Sequence, residues 1–350
     1  MSTGFQAVQW NAAKYKYDAI LIAAVATYLF GFIGIAATLQ PPKSAPEWID
    51  LRIRAFGTCA FLMLTVILSI GPLARLNPKL LPLLYNRRHF GVLFFLVACV
   101  HAASMVQWFA VQDALPSLVD ELTNWGNYFK FIGFPFKTLG IVALTIFFLM
   151  AATSHDYWLG FLKPPVWKAL HMLVYAAYGL VVVHVALGIM QRDYGPFIPV
   201  MLGVSLVLVG TLHTLAGWRE LKRDEGAPPQ DGEWLHVGAA QSIADKRATI
   251  IAAPGGERIA VYRDGNRIGA LSNVCAHQNG PIGEGCIIDG LVTCPWHGYQ
   301  YRLADGCAPP PFTEKLVTYR VRSRNGNIEV DPRPLPPGTP AAIDISPDQV

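Results

Sequence analysis

The stretch Trp218-Arg219-Glu220-Leu221-Lys222-Arg223-Asp224-Glu225-Gly226-Ala227-Pro228-Pro229-Gln230-Asp231-Gly232 decides how this chain is read. Before it, from Ala19 to Gly217, the sequence is a succession of long apolar runs. After it come short segments rich in Gly, Pro and charge. An interfacial aromatic, a knot of mixed charge and then Gly-Ala-Pro-Pro compose a membrane exit followed by a linker. The chain therefore reads as two domains built for two solvents. Its totals agree: 350 residues is about twice the usual domain length. Apolar residues at 53%, charged residues at 15% and a mean hydropathy of +0.34 exclude an ordinary soluble enzyme. A net charge of +4, dispersed along the chain, does not suit nucleic acid as a partner. Six cysteines in this length are not a disulfide framework.

Working back from the exit, six segments are apolar enough to span a hydrocarbon core of roughly 30 Å. They fall near 19–39, 55–73, 90–111, 135–153, 166–190 and 197–217. The first is not a cleaved signal peptide, since five more spans follow it. With both termini cytoplasmic, the inner flanks carry eleven Lys and Arg, among them Arg75, Arg87, Arg88, Arg219, Lys222 and Arg223. The outer flanks carry six, Lys43, Arg52, Arg54, Lys130, Lys137 and Arg192. That asymmetry places both termini and the C-terminal domain in the cytoplasm. Tryptophans near the span ends form an aromatic belt.

Histidine is expensive within a bilayer and signals function there. His101 lies near the middle of the third span, while His171 and His184 lie in the fifth. His89 and His213 sit near the cytoplasmic ends of the third and sixth, and His155 just beyond the fourth. Imidazoles projecting between facing helices can hold haem iron axially, though a membrane histidine also serves as an interhelical hydrogen bond. His171 and His184 are ~19.5 Å apart along an ideal helix, so they cannot share one haem. Spacing alone leaves open which of them pairs with His101.

The stretches Gly71-Pro72-Leu73-Ala74-Arg75-Leu76 and Arg87-Arg88-His89-Phe90-Gly91, with His101 following, resemble the ferric-reductase-like transmembrane family. So does Trp167-Lys168-Ala169-Leu170-His171-Met172-Leu173-Val174-Tyr175 with His184 thirteen residues on. The nearest likeness is to the haem-binding membrane subunits of the bacterial periplasmic methionine-sulfoxide reductase system. The resemblance implies one or two b-type haems, with His101 and His184 as an axial pair and His171 at a further ligand position. Either His89 or His213 is a candidate partner for His171, and Arg87 and Arg88 are candidates for haem propionates.

Beyond the linker, segments near 234–239, 249–253, 258–263, 268–274, 291–295, 315–321 and 327–330 read as strands, with turns such as Asp264-Gly265-Asn266 between them. This is a β-sandwich or barrel of about 100 residues. Two boxes interrupt it: Cys275-Ala276-His277 and Cys294-Pro295-Trp296-His297. One thiolate and one imidazole from each loop suit an asymmetric [2Fe–2S] cluster, in which two Cys hold one iron and two His the other. Zinc ribbons and fingers group their ligands as CxxC or HxxxH, and neither grouping occurs here.

The second box, continued through Gly298-Tyr299-Gln300-Tyr301-Arg302-Leu303, resembles Rieske domains of bacterial ferredoxins and ring-hydroxylating oxygenases. The resemblance implies Cys275, His277, Cys294 and His297 as cluster ligands. Quinol-oxidising Rieske proteins carry an extra Cys in each box, where this chain has Gly280 and Trp296. They place Ser where it has Tyr299, while Tyr301 matches their sulfur-bonding tyrosine. Fewer hydrogen bonds to sulfur imply a midpoint in the lower part of the Rieske range of roughly −150 to +300 mV.

No GxGxxG follows a strand, and no serine-nucleophile or paired-carboxylate constellation occurs. The expected architecture is an all-α six-helix transmembrane bundle (1–218), a linker (219–232), an all-β Rieske-type sandwich (233–331) and a Pro-rich disordered tail (332–350). The expected role is a membrane oxidoreductase component passing electrons between a cytoplasmic cluster and haem b. The donor is a soluble cytoplasmic reductase, and the acceptor a periplasmic oxidoreductase, a ferric chelate or oxygen. Two other readings stay open: a quinol- or quinone-linked cytochrome b, and a membrane redox sensor.

Overall fold

A computed structural model describes residues 12–84, 87–130, 133–154, 164–191, 195–224, 234–253, 257–277, 280–295, 298–310 and 312–346. They form two compact units, one of 10–69 with 88–212 and one of 70–87 with 213–350.

In hydrocarbon every backbone N–H and C=O must be satisfied within the protein, so the apolar runs become helices. These are α1 (Ala12–Leu39), α2 (Ala45–Leu76), α3 (Arg87–Val111), α4 (Leu115–Thr123), α5 (Phe136–Ala152), α6 (Pro164–Gln191) and α7 (Phe197–Asp224). Five of them, α1, α2, α3, α6 and α7, are long and apolar enough to cross a membrane. The remaining expected span corresponds to α5, which has 17 residues and is ~25 Å long. Its limits are local. Pro135, without an N–H, stands at its start, and the hydroxyls of Thr153 and Ser154 bond back to the carbonyls of Leu149 and Met150 at 2.7 and 2.6 Å. Of the six expected spans, five are thus helices long enough to cross a membrane, and the one expected at 135–153 is the shorter apolar helix α5.

α2 begins ten residues earlier than its apolar run. Glu47 turns back to accept from the Ser44 hydroxyl and the Lys43 N–H, both at 2.9 Å, which caps the helix start. Within its apolar window 61% of residues are buried, against 22% or less for the other long helices, so α2 is the central element of the bundle. Its buried hydroxyls return to their own helix: Thr58 to the Arg54 carbonyl (2.7 Å), Thr65 to Phe61 (2.9 Å) and Ser69 to Thr65 (2.7 Å). Tyr28 of α1 donates to Thr58 at 2.8 Å and ties α1 to this centre. α4 was not anticipated. Glu121 of α4 pairs with Lys137 of α5 at 2.6 Å, and the Tyr128 hydroxyl meets Thr138 at 2.9 Å, so the connection is fastened to the first turn of α5.

In the second unit, three antiparallel sheets form the β domain. One contains β1 (Leu235–Ala239), β10 (Asn327–Val330) and β9 (Val321–Arg324), in that order. A second contains β11 (Ile343–Asp344), β4 (Arg267–Ser272), β3 (Arg258–Asp264) and β2 (Ala248–Ala252), with β8 (Thr318–Tyr319) also pairing with β4. The third is β5 (Cys286–Ile288), β6 (Leu291–Thr293) and β7 (Gln300–Arg302). β3 is buried on both faces, and its alternation sorts its residues between two cores. Ile259 and Val261 enter one core with Ile268, Tyr319 and Ile328. Ala260 and Tyr262 enter the other, with Cys275, Ile282, Cys294 and Tyr301. In the same unit Arg75, in the last turn of α2, pairs with Glu284 at 3.1 Å, and Arg219 of α7 donates to the Leu76 carbonyl at 2.8 Å.

The tail expected to be disordered at 332–350 is, over its described residues 332–346, a strap. Leu335 N–H bonds Thr318 O and Gly338 N–H bonds Leu316 O. β11 then pairs with β4, and Ile345 is 5% exposed. Composition misled because the prolines occupy turns between backbone contacts rather than a strand interior. At the root of the strap, Asp331 is buried and bonded by Arg333 at 2.7 and 2.9 Å. Hydrogen bonds from Arg333 hold its carboxyl below the usual carboxylate range. Because its folded pKa is depressed, the stabilisation is present above the unfolded pKa and is lost as pH falls through the folded one. Asp331→Asn is therefore expected to flatten the acid limb of the β-domain unfolding curve and to cost about 1–3 kcal/mol near neutrality, read by thermal melts across pH.

Candidate metal centres

The two cysteine–histidine boxes leave the ends of β4 and β6. The first loop closes on itself: Cys275 N–H bonds Gly280 O (2.8 Å), Ile282 N–H bonds Asn273 O (2.9 Å), and Gly283 N–H bonds the Asn273 side chain (2.6 Å). The second closes likewise, with Cys294 N–H on Tyr299 O (2.8 Å) and Gly298 N–H on Cys294 O (2.9 Å). Glycine is required where these loops meet. A Cβ on Gly285 would lie 2.2 Å from the Thr293 carbonyl oxygen, and one on Gly283 would lie 2.6 Å from Ile250.

Cys275 and Cys294 are 1% and 0% exposed and share one core with Tyr299 and Tyr301. The Tyr301 hydroxyl accepts the His277 backbone N–H at 3.2 Å and stands 3.3 Å from Cys275 Sγ, where it donates to a thiolate. Burial first, and then the neighbouring Cys275 sulfur, push the Tyr301 phenol well up, so it stays a donor. The His277 ring stacks on Tyr299 at 4.5 Å between centroids and 9° between planes, and the Tyr299 hydroxyl donates to Glu314. His297 and Trp296 lie outside the described residues. Three of the four expected ligands are therefore in view, as soft thiols and an imidazole without a carboxylate among them, a donor set suited to iron–sulfur chemistry. Cys286 and Cys307 lie outside the two boxes, at half-buried positions. Asn273, which staples the first loop, and Glu314 were not singled out from the sequence, since neither lies in a box.

Removing one sulfur-directed hydroxyl has a calculable cost. Tyr301→Phe is expected to lower the cluster midpoint, because the lost bond favours the reduced, more negative state. About 1 kcal/mol corresponds to ~40 mV for a one-electron couple, read by potentiometric titration.

In the helical unit, His101 of α3 and His184 of α6 come together, with ring centroids 6.4 Å apart and planes at 88°. Each imidazole is fixed by a carbonyl on a neighbouring helix: His101 Nδ1 by Ile53 O of α2, and His184 Nδ1 by Phe136 O of α5, both at 2.9 Å. A carbonyl only accepts, so Nδ1 carries the proton and Nε2 keeps its lone pair, the tautomer a metal requires. Metal–nitrogen bonds of about 2 Å, plus roughly 1 Å from nitrogen to centroid on each side, separate two trans imidazoles by ~6 Å. The observed spacing fits a single metal between them. His171 is held differently. Its Nδ1 contacts the carbonyl of Trp167, one turn back on α6, at 3.0 Å, and its ring stacks on Trp167 at 3.8 Å. His89 Nδ1 contacts Asp18 of α1 at 2.7 Å. His213 lies on α7, and His155 lies outside the described residues.

A bundle that brings two metal-competent imidazoles together, joined to a β domain with paired Cys–His loops, defines a membrane electron-transfer protein. Residues 233–320 match the Rieske [2Fe-2S] domain family, and residues 55–182 match the ferric reductase like transmembrane component family. The chain is a fusion of these two, and the Rieske half supports a [2Fe–2S] cluster. Similar proteins include the anthranilate 1,2-dioxygenase ferredoxin subunit of Burkholderia cepacia, 32% identical over 28% of this chain and 92% of its own length. Ferredoxin CarAc of Metapseudomonas resinovorans is 29% identical over 28% of this chain and 92% of its own. A solved structure of oxygenase and oxidised ferredoxin in carbazole 1,9a-dioxygenase is 27% identical, with TM-score 0.28, and covers 29% of this chain and 95% of that one.

Proposed function

We propose that this protein carries electrons between a cytoplasmic Rieske cluster, held by Cys275, His277, Cys294 and His297, and b-type haem held by His101 and His184. The donor is a soluble reductase, and the acceptor, beyond the membrane, is a periplasmic oxidoreductase, a ferric chelate or oxygen. The observation that carries the reading is the imidazole pair, with Nδ1 of each ring spent on a carbonyl and the rings a metal's width apart. When bound, haem and cluster supply one-electron chemistry at buried sites. The chain's own residues do the rest. Ile53 and Phe136 set the imidazole tautomer, Tyr301 stabilises charge on Cys275, and apolar helices exclude water. The excess of Lys and Arg on the flanks shared with the Rieske domain favours its cytoplasmic side. His171 is the candidate ligand of a second haem.

The test is to purify the full chain and measure iron, acid-labile sulfide and haem per polypeptide. Electron paramagnetic resonance and reduced-minus-oxidised visible spectra are recorded alongside. A preparation without porphyrin absorption overturns the haem assignment.

A second reading, a quinol-linked cytochrome b, draws on the His89–Asp18 pair. One turn along from each partner, Ile22 and Leu93 enter an apolar groove of about 290 Å³ with Leu29 and Phe56, suited to a quinol tail beside a polar pair that could meet its head group. Stopped-flow reduction by a quinol, set against reduction by a flavin reductase, separates the two: the faster donor identifies the entry route.

A further inference from the structure

The two carbonyl–histidine contacts have the same layout. In each, 48 residues separate the carbonyl from the histidine. Ile53, Gly57 and His101 map onto Phe136, Gly140 and His184 with one constant offset of 83 residues. In both sets a glycine sits one helical turn after the carbonyl, on the same helix face. Glycine is a poor residue for a helix interior, so its presence at both positions calls for a reason. The histidine rings supply it. A Cβ on Gly57 would lie 2.8 Å from His101 Nδ1 and 2.9 Å from its Cε1, while one on Gly140 would lie 2.9 Å from His184 Cε1 and 3.0 Å from its Nδ1. Other helical glycines, Gly31, Gly91 and Gly179, would meet nothing within 4 Å.

We propose that α2–α3 and α5–α6 are two copies of one histidine-presenting unit, and that Gly57 and Gly140 are its positioning residues. The carbonyl fixes each ring's tautomer and one edge, and the bare helix surface at the glycine lets the ring lie flush against the helix. Together they fix the two rings with their centroids 6.4 Å apart and their planes near the observed 88°. An added methyl pushes the ring off its carbonyl and changes the angle between the planes. The inference rests on the haem reading above and adds to it the residues that set the axial ligand planes.

The experiment is electron paramagnetic resonance on the oxidised full-length protein, with an optical spectrum of the same sample. Perpendicular axial imidazoles leave two iron orbitals nearly degenerate, so the parent is expected to show a strongly anisotropic low-spin ferric signal. Gly57→Ala and Gly140→Ala are each expected to move it toward a rhombic low-spin or a high-spin signal. Gly179→Ala, on α6 but away from the ring, leaves it in place. The reduced Rieske signal of the same samples, unchanged, shows that the variants are intact. A rhombic parent signal overturns the proposal, as does either alanine variant matching Gly179→Ala. Should the variants fail to accumulate, the parent's anisotropy decides alone. A parent with no porphyrin band in the optical spectrum overturns the haem reading itself, and the proposal with it.

Discussion

Protein carrying Cys294→Ala is expected to lack acid-labile sulfide and the Rieske signal while keeping the visible spectrum of the membrane half. Cys294 is fully buried, at the end of β6, in a core shared with Cys275 and Tyr301. No water reaches that position to replace a thiolate. The cluster's binding free energy is also folding free energy for the loops that hold it. Without it, two closely wrapped loops enclose a void lined by polar donors, so the β domain is expected to lose more than ~4 kcal/mol. The loss is read as a collapse of its thermal transition. Cys275→Ala should behave in the same way. Cys286→Ala and Cys307→Ala remove thiols outside the boxes and should retain both cluster and transition. Retention of the Rieske signal in Cys294→Ala would show that the cluster is held elsewhere.

The second large effect is expected in the bundle. His184→Ala should lose one haem per chain, and His101→Ala should lose the same one, because an imidazole without its trans partner is a weak tether in lipid. The decisive observation is non-additivity. The double variant should lose no more haem than either single variant, as groups acting as one unit do. His171→Ala added to either background should cost further haem if it serves a second site. Pyridine haemochrome assay per polypeptide measures all of these. Additive loss from His101→Ala and His184→Ala would dissolve the pair.

Much of this was legible along the chain. The break at Trp218 to Gly232 reports a change of solvent, and hydropathy is a property of local composition. The Cys–His boxes are legible for a similar reason, since a cluster bound by two tight loops needs its ligands two or three residues apart within each loop. The Pro-rich tail is another matter, because such composition says nothing of where backbone N–H groups find partners. Only the register of β11 on β4 shows that it is a strap. α5 lies within one residue of its apolar window at each end, 136–152 against 135–153, because Pro135 stands at its start and the hydroxyls of Thr153 and Ser154 bond back into its last turn.

Among the membrane histidines the limit is sharper. Composition singled out His101, His171 and His184 alike, and depth along a helix could not pair them. The pairing depends on which helix faces which, and on two carbonyls, Ile53 and Phe136, each 48 residues from the ring it holds. By itself, the order of residues determined the two solvents, the two loops that offer sulfur and nitrogen, and the set of imidazoles in lipid. The tertiary structure brought together the rings of His101 and His184, the pair the family resemblance implied, and alone decided which tautomer they adopt and why glycines lie beneath them. Ligand type is carried by side-chain chemistry at single positions, whereas convergence is a property of helix packing.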